Sequence, residues 1–118
     1  MTAHRRLAVG ALAISGANSA LVMDLGREHS FRELTAVKRG AASVGETLLI
    51  QQAHNGEAET PTWVTCPAAA GGALAESPAS GTAMVLSARP TARWVRVLFT
   101  NGATAQTALS LELTAWPA

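Results

Sequence analysis

Between residues 107 and 115, leucines and polar residues take strict turns. Leu109, Leu111 and Leu113 are interleaved with Ser110, Glu112 and Thr114. A period of two puts the leucines on one face of an extended strand and the polar groups on the other, whereas a helix would scatter both around its circumference. Such a segment needs a sheet with one buried face. Residues 93–100 repeat the pattern, with Val95, Val97 and Phe99 on one side and Arg96, Leu98 and Thr100 on the other. Further strands are expected over 7–14, 19–25, 31–39, 46–53, 62–66 and 80–88. Leu48 and Ile50 face inward in the fourth of these runs, and Met84 and Leu86 share a side in the last. Gly26, the run His54-Asn55-Gly56 and Arg89-Pro90-Thr91 close strands, because glycine permits turn conformations and proline cannot donate to a ladder. Asn101-Gly102 supplies the positive-φ positions a turn favours. The connection through Gln106 exceeds a two-residue hairpin, so the flanking strands either pair directly or are joined by a crossover. No long apolar stripe of helical period with caps at both ends occurs. Short strands at regular spacing predict an all-β, antiparallel β-sandwich of about eight strands.

The 118 residues suit a single domain, 1–118. Only 14% are charged against 48% apolar, so the surface relies little on charge for solubility, which suits a subunit packed against neighbours. A net charge of +1 argues against nucleic acid as a partner. Arg5-Arg6 followed by an apolar run mimics a signal peptide, but that run is short and diluted by Ala and Gly, and it reads as the first strand. No stretch is long and apolar enough for a membrane-spanning helix.

Residues for catalysis are scarce. Asp24 is the single aspartate, tyrosine is absent, and His4, His29 and His54 show no metal-binding spacing. Asp24 reads as a turn residue before Leu25-Gly26. Glu57 and Glu59 flank a turn without the oxygen density of a calcium site. Cys66, alone, has no disulfide or zinc partner and reads as a small buried hydrophobe. No catalytic residue, metal ligand or cofactor is assigned, and no enzyme is expected.

Contact surfaces are a better expectation. Residues 1–6, with Arg5 and Arg6, form a short basic arm. Residues 67–81 are low in complexity, and Gly71-Gly72 and Pro78 argue for a surface loop, with Leu74 and Pro78 as contact candidates. Trp63 and Trp94 lie in strand-like runs; Trp94 falls on the Arg96 face, outside the Val95 row, where it covers the sheet or meets a partner. Trp116 either folds back over the core or is offered to a neighbour.

Two resemblances extend this reading. Met23-Asp24-Leu25-Gly26, the 50–56 segment ending in His54-Asn55-Gly56 with Trp63 beyond it, and Ala92-Arg93-Trp94-Val95-Arg96-Val97 resemble, in order and rough spacing, the discoidin-like, galactose-binding-like sandwich. The tryptophan comes late after Gly56, and the leading part of that family's domain is missing. The segment 93–111, with Thr100-Asn101-Gly102-Ala103-Thr104-Ala105-Gln106-Thr107 at its centre, resembles small tailed-bacteriophage virion proteins such as head-decoration proteins. The resemblance implies a jelly-roll or discoidin-like sandwich acting without catalysis on a virion. Its implied partners are a major capsid protein or other virion proteins, with copies of itself in a homo-oligomer. The alternative is a carbohydrate- or ligand-binding module.

Overall fold

The computed structural model describes residues 4–12, 18–26, 31–41, 44–66 and 84–117. The strands are β1 (His4–Leu12), β2 (Asn18–Asp24), β3 (Phe31–Arg39), β4 (Thr47–Ala53), β5 (Val64–Thr65), β6 (Met84–Ala88), β7 (Trp94–Thr100) and β8 (Gln106–Pro117). One antiparallel sheet has the order β1-β8-β3-β6 and the other β2-β7-β4-β5, where β5 contributes only two residues. No helix occurs among the described residues.

The two strands with the clearest alternation take the central places. β8 lies between β1 and β3, and β7 between β2 and β4. Leu111, Leu113, Val95, Val97 and Phe99 are fully excluded from solvent. They meet Leu34, Ala36, Leu48, Ile50, Leu21 and Met23 in one core cluster between the sheets, the arrangement of a β-sandwich. Period-two burial therefore follows the expected faces.

β7 and β8 are consecutive in sequence but belong to different sheets, so residues 101–105 form a crossover. The expected positive φ at Gly102 does not occur; Gly26, Gly40 and Gly45 hold such angles instead. Glycine is needed at 102 for proximity. A Cβ there would sit 2.0 Å from the carbonyl oxygen of Val44.

The basic arm expected over 1–6 is corrected from His4 onward. His4, Arg5 and Arg6 pair in β1 opposite Ala115, Thr114 and Leu113. β8 runs on to Pro117, and its backbone groups would lack partners on that side without β1. Residues 1–3 lie outside the described residues, as do 67–83 with Leu74 and Pro78.

Candidate functional site

The phage-like segment 100–107 builds a joint between loops. The Ala41 amide donates to Gln106 Oε1 (2.9 Å), and Gln106 Nε2 donates to the carbonyl oxygens of Ala41 (2.8 Å) and, at 3.3 Å, the Asn101 side chain. Asn101 Nδ2 donates to the Thr104 carbonyl (2.9 Å), and the Ala103 amide to that of Val44 (3.0 Å). Gln106 and Asn101 are buried, so the bonds of their side chains form where water does not compete freely. Beside this joint Lys38 Nζ lies 2.8 Å from Glu46 Oε1, with both side chains at 0% exposure. It also donates to the Ala41 carbonyl (2.8 Å) and stands 5.2 Å from the Phe99 ring centre. The segment that carries the phage resemblance is thus structurally fastened to Ala41 and Val44.

The other polar concentration covers the outer face of the β2-β7-β4-β5 sheet. Val22, Arg96, Gln51 and Thr65 stand in one row across four strands. Arg96 Nε donates to Gln51 Oε1 (2.8 Å), and its guanidinium lies 4.5 Å from the Trp63 ring centre. Partial burial lowers the Arg96 pKa from its ordinary value. Trp63, placed by the sequence in a strand-like run, precedes β5, is only partly buried and serves as a platform for arginine. The pairing links residues 33 apart in sequence; the period-two placement of Arg96 on the outer face was its one sequence signal.

Trp94 lies on this outer face, as expected from its phase. It is covered: a Cβ on Gly56 would come within 2.0 Å of its Cγ, and the Arg93 guanidinium is 5.1 Å from its ring. Its indole nitrogen is buried without a hydrogen-bond partner. Arg93 forms a two-pronged pair with Asp24, at 2.7 and 2.8 Å. The Gly26 amide donates to Asp24 Oδ1 (2.8 Å), so Asp24 holds the turn expected of it. Trp116, on the opposite outer face, is 42% exposed, and its indole donates to Thr35 Oγ1 (3.0 Å). It is laid on the sheet rather than folded into the core.

Cys66 is buried, and its thiol lies 3.1 Å from the Arg89 carbonyl oxygen and 3.5 Å from Gln52 Oε1. Burial pushes its pKa up to about 11, opposite to the shift a nucleophile needs. Among the described residues no three metal-ligating side chains cluster. His29 lies outside the described residues. An open hollow of about 570 Å³ is lined by Phe31, Arg32, Glu33, Arg89 and Pro90.

No family model matches the sequence, and no curated protein matches it. Solved structures do match in fold. The PBSX exported protein XepA aligns with 98% of this chain at 14% identity and a TM-score of 0.69. The enzymatically active domain of bacteriophage CBA120 tailspike protein 4 aligns with 99% at 9% identity and a TM-score of 0.53. This chain spans 37% of the first and 19% of the second, so each likeness is to one part of a larger protein.

Proposed function

We propose that this chain is a non-enzymatic structural component of a phage-related particle, fixed by protein–protein contacts to the capsid or to a tail component. The fold match to XepA over 98% of the chain is the observation that carries this reading, and the tailspike match points the same way. The strand order β1-β8-β3-β6 facing β2-β7-β4-β5 supports the jelly-roll form of the sandwich, an architecture common in viral shells and lectins. Its partners are a major capsid protein or another virion protein, together with further copies of itself. Repetition of one modest contact over a symmetric shell supplies avidity without a large single interface.

The experiment is particle purification from an induced culture of the source organism, with the chain quantified by mass spectrometry across a density gradient. Co-migration with the particle, in fixed ratio to one shell or tail protein, is expected. Absence from the particle together with selective hits on a glycan array would replace this reading by the carbohydrate-binding one.

A further inference from the structure

Four cations on the described strands or beside them have well-defined settings, and three of them face a carboxylate. Lys38 meets Glu46, Arg39 meets Glu112 at 3.9 Å, and Arg93 meets Asp24. Arg96 differs from these three. It is partly buried at the centre of β7, pinned by Gln51 on one nitrogen and by Trp63 on its flat face, and forms no ion pair with a carboxylate among the described residues. Holding a cation in partial burial without a counter-charge is unfavourable, and three intramolecular pairings show that this fold can supply one. The two terminal nitrogens of Arg96 form the fork that receives a carboxylate through two parallel bonds.

The surroundings identify the bearer of that carboxylate. Val22, 38% exposed, flanks Arg96 on β2, while Leu98 and Leu49 stand side by side in the next row. An arginine and a tryptophan beside apolar side chains on a sheet face is the organisation of a protein–protein hot spot. Saccharides favour concave sites, and the open hollow at Phe31, Arg32 and Arg89 shares no residue with this face.

We infer that Arg96, seated on Trp63 and steered by Gln51, anchors an acidic side chain of a partner protein, with Val22, Leu98 and Leu49 packing against that partner's apolar neighbours. The inference rests on the protein–protein reading above, and its test uses the free chain, so either can fail alone. The probes are the blocked peptide acetyl-Leu-Glu-Val-amide, its glutamine analogue, and glucuronic acid. The Arg96 Nε–H and Trp63 indole resonances are followed during titration. The glutamate peptide should shift both and bind about tenfold more tightly than the other two probes, the usual advantage of a charge-assisted bidentate contact. Arg96→Gln should abolish that preference with the remaining spectrum unchanged; Arg96→Lys, which keeps the charge without the fork, should reduce it. Equal affinity for the two peptides would overturn the inference. Glucuronic acid binding as tightly as the glutamate peptide would also overturn it, in favour of an acidic saccharide.

Discussion

Lys38 and Glu46 each bring a full charge to 0% side-chain exposure, and their 2.8 Å contact is what makes this tolerable. Removing one partner strands the other. Glu46→Gln should therefore cost about 3 kcal/mol, read as a lower urea midpoint with an unchanged slope. Replacing both by apolar residues of similar volume should cost much less, because no charge is left buried. Cys66 provides a pH-dependent counterpart. Its folded pKa of about 11 lies above the ordinary 9.0, so the folded state holds the proton more tightly. That contribution is complete below pH 9 and is lost as pH rises toward 11, on the order of 2 kcal/mol. Urea titrations across this window should show the decline, and Cys66→Val should remove this part of it. The two sites differ in how far they could be read from sequence. Asp24 and Cys66 had legible roles, since a turn two residues long and an alternating apolar run are local patterns. The burial of Lys38 was not legible, because it depends on a carboxylate beyond a turn and on Phe99 from the other sheet.

At the scale of elements, alternation fixes which side of a strand is buried but says nothing about which strand lies beside it. That is why residues 31–39, 93–100 and 107–115 were recognisable as strands, while the pairing of the last two stayed open. The crossover is decided by side chains with no periodic signature: Gln106 bonded to both backbone groups of Ala41, and Gly102 against Val44. The same limit applied to the arm, since Arg5 and Arg6 have no strand-like pattern of their own and are extended because β8 offers them a ladder. Gly102→Ala should force the crossover off Val44 and destabilise the fold by about 1–3 kcal/mol. Gln106→Ala should cost a similar amount by removing the acceptor of the Ala41 amide, while the Ala41 carbonyl keeps its bond from Lys38. For comparison, Leu111→Ala in the centre of β8 should cost about 2–5 kcal/mol. Chemical denaturation of the three variants checks this ranking. A Gly102→Ala chain as stable as the parent would mean that the loop contact is not maintained in solution.

For the whole molecule, the sparse charge and the mixed character of both outer faces decide what kind of contact it can make. A net charge of +1 gives little long-range steering, and exposed large apolar groups occur on both outer faces, Val85 and Trp116 on one and Val22 on the other. Contacts made by such a surface depend on shape and on a few partly desolvated pairs rather than on summed potential. A pair formed at Arg96 would be shielded from mobile ions by Trp63 and the apolar row around it, and so is screened far less than an exposed one. Attachment to a particle should therefore change less than about threefold between 0.1 and 0.5 M sodium chloride, measured by co-sedimentation of the purified chain with stripped particles. A protein held on packaged nucleic acid behaves differently, because each neutralised phosphate releases a counterion and affinity falls by decades over a similar range. Steep loss of binding with salt would thus place the contact on polyelectrolyte and remove the sandwich faces from the argument. A flat response, with Arg96→Gln weakening attachment at both salt concentrations, is the outcome expected of a short-range, half-buried anchor.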